Sequence, residues 1–300
     1  MRGISRIGVA ALAGMVSLLG VSTAQAIDSD GATSLTQPAN TLIMPYDGTE
    51  GKASYMIVSN MSGVSAARDS VMTLWVWTDE FGDVQNEVLA CLELNQSIVQ
   101  DASQTAPGSR GMVVVTAWEA DADCEPIALV DDAIVGSYTF ADIAEQFSYG
   151  NDAVGVGLGE GGYPLLPSDH VGSVDIQTYN PSTLDDSSVV LLSVAQSDTS
   201  LIIPNGTMIN GELDYYNNAG EMVPANSIEF NNSSFFSMKP GGGIVFSDSQ
   251  INSSGFLRIN FSEGAIGGAS GNFVFGIHGQ AVGQFGGSSN LKYTVIAPMS

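Results

Sequence analysis

The stretch Val71 to Val99 (VMTLWVWTDEFGDVQNEVLACLELNQSIV) constrains this chain more than any other part of it. Two apolar runs flank the acidic, glycine-containing turn Asp79–Asp83, which is the pattern of a β-hairpin. Val71–Thr78 is apolar at successive positions, as in a central strand covered on both faces. The return strand alternates, with Val88, Ala90, Leu92 and Leu94 on one side and Cys91 and Glu93 on the other.

A fainter version of the hairpin recurs at Met208 to Phe236. TDEFGDV at 78–84 matches YNNAGEM at 216–222 in turn chemistry, and LELNQSIV at 92–99 matches IEFNNSSF at 228–235 almost class by class. Further on, GMVVVTA at 111–117 pairs with GFLRINF at 255–261, and IVGSY at 134–138 with VFGIH at 274–278. The order is kept, with offsets between 136 and 144 residues. A tandem pair of related β-domains is expected, against the alternative of chance similarity among generic strands. Trp75, Trp77 and Cys91 have no counterparts in the second copy.

The remaining segments extend the same class. TLIMPY at 41–46 reads as a strand that Pro45 places at an edge or bulge, and KASYMIVSN at 52–60 as a second. Arg110–Trp118 and Ala133–Phe140 are further strands, and Ala141–Phe147 suits one or two helical turns. In the second half, strands are expected at 171–179, 188–194, 207–216, 227–236, 255–261, 272–278 and 291–297. Gly155–Pro167 reads as a linker; its GxGxxG spacing (Gly157, Gly159, Gly162) runs into Tyr163 and Pro164 where a dinucleotide-binding helix would begin, so these are turn glycines. The expected fold class is all-β: two tandem immunoglobulin-like or jelly-roll-type β-sandwich domains, 41–154 and 168–300, after a signal peptide (1–26) and a flexible leader (27–40).

The signal peptide rests on Arg2 and Arg6, an interrupted apolar run from Val9 to Val21, and the small-x-small site Ala24-Gln25-Ala26. The run is shorter than the roughly 20 residues of a bilayer-spanning helix. Sec-type export is therefore expected, to the periplasm, the outer cell surface or the medium. Cleavage after Ala26 removes two arginines and no acids, taking the net charge from −24 to −26. That balance argues against nucleic acid and anionic membrane surfaces as partners, because phosphate binding requires clustered Lys and Arg. After export, Cys91 and Cys124 are most simply read as one disulfide closing a 34-residue loop, worth about 3 to 4 kcal/mol by chain entropy.

Catalytic chemistry is sparse. The two histidines, His170 and His278, sit in a loop and a strand, and no nucleophile elbow, HExxH or phosphate loop is present. No cofactor is expected; if an ion binds, it is Ca²⁺, on the hard oxygen ligands Asp121, Asp123 and Glu125 or the leader acids Asp28 and Asp30, although solvated surface charge explains the same residues. Trp75 and Trp77 lie on one face of a strand, a spacing that suits stacking on sugar rings and equally suits a sandwich core, the reading preferred here. Tyr215 and Tyr216 point to opposite faces and form no platform together. The strands at Thr41–Tyr46 and Leu291–Ala297 could each lend an edge to a neighbouring molecule.

TLIMPY, the SN that ends the second strand, CLELNQSIVQDAS at 91–103 and IVGSYTF at 134–140 resemble a poorly characterised group of secreted bacterial β-sandwich proteins. Its members show an L-I-x-P-Y opening strand, a strand ending before asparagine and a V-x-G-x-[FY] strand. The resemblance covers roughly Thr41–Gly157 and implies export and β-architecture without an agreed activity. The expectation is thus a cell-surface or extracellular structural or adhesive protein, not an enzyme. Its partners would be other surface proteins, itself by sheet-edge association, or glycans. A secreted carbohydrate-binding module is the alternative, and a hydrolase comes third.

Overall fold

The computed structural model describes residues 38–61, 70–143, 147–159, 161–166, 171–179, 187–196, 201–202, 208–217, 219–237, 255–261, 272–282, 285–290 and 292–295. The signal-peptide reading, leader residues 27–37, Asp28, Asp30 and His170 lie outside these residues. The end of the expected flexible leader is instead built in: Ala39 and Asn40 are buried, the Ala39 N–H donates to the Ile134 carbonyl at 2.8 Å, and Asn40 Nδ2 donates to the Ala117 and Val130 carbonyls at 2.9 and 2.8 Å.

The chain is all-β. Its first strands are β1 (Thr41–Asp47), β2 (Lys52–Asn60), β3 (Ser70–Asp79), β4 (Val84–Glu93) and β5 (Ser97–Asp101). A four-residue helix α1 (Ala102–Thr105) precedes β6 (Arg110–Ala120), β7 (Pro126–Leu129), β8 (Ile134–Asp142), β9 (Phe147–Asp152) and β10 (Val154–Val156). There follow β11 (Val171–Tyr179), β12 (Ser187–Gln196), β13 (Leu201–Ile202), β14 (Ile209–Asn217) and β15 (Met222–Phe230). The last are β16 (Ser233–Ser237), β17 (Gly255–Phe261), β18 (Asn272–Val282), β19 (Phe285–Asn290) and β20 (Lys292–Val295).

These strands form four antiparallel sheets. Sheet I has the order β10-β1-β6-β3-β4 with β7 added to β6, and sheet II the order β5-β2-β8-β9. Sheet III has the order β15-β14-β17-β11-β20, and sheet IV β13-β12-β18-β19 with β16 also paired to β12. Reading sheet III from its other end sets β20, β11, β17, β14 and β15 in the places of β10, β1, β6, β3 and β4. In the same way β16, β12, β18 and β19 take the places of β5, β2, β8 and β9. Among the described residues only β7 and β13 lack a counterpart.

The same turn is built three times. The Asp79 carboxylate accepts the backbone N–H of Phe81 and Asp83 at 2.9 and 3.0 Å, while Gly82 takes φ 93°. Asn217 does this for Ala219 and Glu221 at 2.9 and 3.0 Å, with Gly220 at φ 78°. Asp121 does it for Asp123 and Glu125, both at 2.9 Å, and there the left-handed position is filled by Cys124, at φ 65°. A short polar acceptor at the first position and a residue that tolerates positive φ at the fourth set this hairpin turn.

Between sheets I and II the core is aromatic and aliphatic. Trp75, Trp77, Tyr46, Met44, Val113 and Val115 are fully buried. Gly136 of β8 lets sheet II approach sheet I, since a Cβ there would lie 2.7 Å from Leu42 Cδ1. β2 alternates buried and half-buried positions, whereas its counterpart β12 is buried at every position from Val189 to Ala195. Sheet IV is therefore covered on both faces, which explains its continuous apolar run.

Side chains tie the two halves together at one end. Arg110 Nε donates to Glu80 Oε2 at 2.8 Å, with its guanidinium 5.4 Å over the Phe235 ring. Phe235 also meets Phe140 edge-on at 6.3 Å, and Ser288 Oγ donates to the Gly150 carbonyl at 2.8 Å.

Two expectations are corrected. Ala141 and Asp142 continue β8 and Phe147 opens β9, so no helix forms from these residues; the short helix is α1. Asp101 caps it, accepting the Ser103 N–H at 2.9 Å. β1 is not an edge strand, because it lies between β10 and β6. Pro45 is accommodated because β10 pairs only with Thr41–Ile43, leaving Pro45 opposite Met112 of β6 alone.

Candidate functional site

The residues singled out from sequence are dispersed. Trp75 and Trp77 stack at 6.4 Å with an interplanar angle of 11°, and both are 0% exposed. Tyr46 closes the cluster edge-on to Trp77 at 4.9 Å. Burial raises the Tyr46 hydroxyl pKa to about 12, although that hydroxyl keeps a hydrogen bond with Ser109 Oγ at 2.9 Å. These indoles fill the core and offer no face to a sugar ring, which leaves the sugar-stacking alternative without a platform there.

Cys91 and Cys124 form a disulfide with a Cα–Cα distance of 6.0 Å. Cys91 lies on edge strand β4 and Cys124 on the β6–β7 turn, so the bond spans the intervening β3. Asp121, Asp123 and Glu125 belong to that same turn, where one Asp121 oxygen is occupied by two backbone N–H groups. Among the described residues no three His, Cys, Asp or Glu side chains gather as a metal-ion site would require. His278 is buried in β18 with no hydrogen-bond partner at Nε2, and burial lowers its pKa.

Gly155–Pro167 carries a tight turn. Gly159 N–H donates to the Tyr163 carbonyl at 2.8 Å, and Gly162, at φ 74°, donates back to Gly159 at 2.9 Å. Of the two strands expected to lend an edge, β1 is flanked on both sides and β20 is the outermost strand of sheet III.

The polar cluster that sequence reading passed over is the outward face of sheet III. Register sets its side chains in three rows across the strands: Tyr216 beside Phe256; Asp214 beside Arg258 and then Asp175; Glu212 beside Asn260 and then Ser173. The inward faces of the same strands hold the fully buried Leu213, Tyr215, Leu257, Ile259 and Val174.

The middle row is tightly organised. Arg258 holds Asp175 bidentately, at 2.8 and 3.1 Å, and the Asp175 side chain is 8% exposed against 36% for Arg258. That carboxylate in turn raises the guanidinium pKa. Asn260 Nδ2 donates to Asp214 Oδ2 at 2.6 Å. Arg258 also lies 5.4 Å over the Phe256 ring, and Tyr216 packs against Phe256 at 5.5 Å.

Sheet I has the same five strand positions with different chemistry. Ile43 stands where sheet III has Asp175, Val114 where it has Arg258, and Val76 where it has Asp214. Ile43 is fully buried and Val114 nearly so. The sequence did carry a signal, since Glu212, Asp214, Tyr216 and Phe256, Arg258, Asn260 alternate with apolar residues in period two. Only register shows that the two alternations share one surface.

Among the described residues no helix is long and apolar enough to cross a membrane. No family model matches the chain, and no curated protein matches it. The chain aligns with the viral chemokine binding protein R17 encoded by rodent gammaherpesvirus Peru at 8% identity over 89% of each chain, but the TM-score of 0.17 carries no argument.

Proposed function

We propose that this chain is an exported bacterial surface or extracellular protein with a structural or adhesive role, built from two tandem β-sandwich units related by duplication. One observation carries the reading: nine strands of one half recur in the same sheet order in the other, and side chains such as Arg110, Glu80 and Phe235 bind the halves to each other. Repetition with interlocking is the construction of a scaffold that holds surfaces at fixed spacing. The disulfide between β4 and the β6–β7 turn is compatible with an extracellular or periplasmic compartment. A hydrolase would need His170 or His278 within reach of a carboxylate; His170 lies outside the described residues, and His278 is 9% exposed with no partner at Nε2.

Expression of the full chain with a C-terminal tag in a Gram-negative host tests the proposal. Export predicts a mature N-terminus at Ile27, an oxidised Cys91–Cys124 pair and tag signal in the periplasm, on intact cells or in the medium. A cytoplasmic product that keeps residues 1–26 and carries two free thiols overturns it.

A further inference from the structure

We infer that the outward face of sheet III is a binding site for a neutral glycan. Equivalent sheets differ sharply on this face. On one strand order, sheet I carries Ile43, Val76 and Val114, whereas sheet III carries Asp175, Asp214 and Arg258. In sheet I this face is covered, with Ile43 and Val114 buried, whereas in sheet III it is partly solvated, and a solvated face accounts for polar residues but not for their being tied to one another across three strands. Nor does solubility demand an arginine held bidentately and stacked on a ring, because single exposed charges suffice for that.

The geometry matches a sugar. Successive rows lie about 7 Å apart along the strands, two residues at the usual rise. The first row offers the Tyr216 ring, braced by Phe256, for the C–H face of a pyranose. The second offers the Asp214 carboxylate as acceptor and the Arg258 guanidinium as donor, each held in place by a neighbour rather than by the ligand. Fixed planar groups that accept and donate side by side suit vicinal hydroxyls, and their ordering cost is met before binding.

Charge selects among ligands. Asp175, Asp214 and Glu212 outnumber Arg258 and Lys292, the latter set opposite Asp175 by register, and the whole chain carries −24, so an anionic polymer or a second copy of this chain is repelled. Asp175 is already neutralised by Arg258, and no group of metal-binding side chains forms among the described residues. A neutral, hydroxyl-rich ligand answers the donors, the acceptors and the ring together. This inference does not depend on export, because purified chain suffices to test it, so its failure and that of the surface role are separable.

The test is affinity electrophoresis of the purified mature chain through soluble β-1,4-glucan, β-1,3-glucan, mannan and α-glucan, with Tyr216→Ala and Asp214→Asn as variants. We expect at least one polysaccharide to retard the parent chain, and that affinity to fall at least tenfold in both variants while near-UV circular dichroism stays native. Asp214→Asn is isosteric and half-exposed, so it decides the matter should Tyr216→Ala fail to fold. Absence of retardation in all four polymers overturns the inference. So does retardation that Asp214→Asn leaves intact, or a parent chain that self-associates through this face without binding any polymer.

Discussion

Asn232 donates its backbone N–H to the Glu80 carbonyl at 3.1 Å, and its Oδ1 accepts the Thr78 hydroxyl at 3.3 Å, so a residue of the second half caps the tip of the first half's hairpin. Both Asn232 and Thr78 are fully buried. Asn232→Ala is expected to lower stability by about 1 to 3 kcal/mol by leaving buried polar groups short of a partner. A double-mutant cycle with Thr78→Val in urea checks it: a coupling near zero would mean that the contact contributes nothing across the halves.

The disulfide sits at a strained backbone position, and this separates two effects of removing it. Cys124 occupies at φ 65° the place that Gly82 and Gly220 fill in the other two turns. Cys91→Ser combined with Cys124→Ser should lose about 3 to 4 kcal/mol of loop entropy. Replacing the second change by Cys124→Gly should recover about 1 kcal/mol, because glycine takes positive φ without penalty. Denaturant midpoints of the two double variants provide the comparison, and equal midpoints would refute the claim.

Acid should weaken the fold through His278. Burial sets its folded-state pKa below the ordinary 6.5, so its contribution is complete above that pH and is lost progressively as pH falls toward the lowered value. Asp152 works with the opposite sign and in a lower window. Its pKa is raised from 3.8 by burial, so protonation through the carboxylate range relieves the folded state. Thermal midpoints of the parent should therefore drop between neutral pH and the lowered His278 value, and His278→Gln should flatten that slope. An unchanged slope would assign the effect elsewhere.

Truncating either core indole should be severe. Trp75→Ala and Trp77→Ala are each expected to lose about 3 to 5 kcal/mol, a large share of the stability of an ordinary domain. Conservative changes should differ, because Trp75 Nε1 donates to the buried Thr73 Oγ1 at 3.1 Å whereas Trp77 Nε1 meets no protein partner. Trp77→Phe should accordingly cost less than Trp75→Phe, as differential scanning calorimetry can show.

Local chemistry made much of this fold legible in the sequence. Period and turn residues placed β2 at Lys52–Asn60, the Asp79–Asp83 turn and the cysteine pair where they are found. What escaped depends on pairing between distant segments. Pro45 looked like an edge because nothing near it shows that β10, more than 100 residues later, covers only the start of β1. The helix at Ala102–Thr105 was hidden by its length, one turn set by the Asp101 cap inside a strand-like run. The Asp175–Arg258 pair is separated by 83 residues, and each partner alone is an ordinary outward residue of a strand.

The way each half begins and ends bears on how it would respond to pulling. β1 and β10 are antiparallel neighbours with Thr41 opposite Val156, and β11 and β20 place Val171 opposite Val295. Tension applied across either half therefore loads the outermost hydrogen bonds one after another, as in opening a zipper, rather than shearing the whole ladder at once. Each half should therefore open at lower force than a ladder of the same strands loaded in shear, and do so stepwise from its ends.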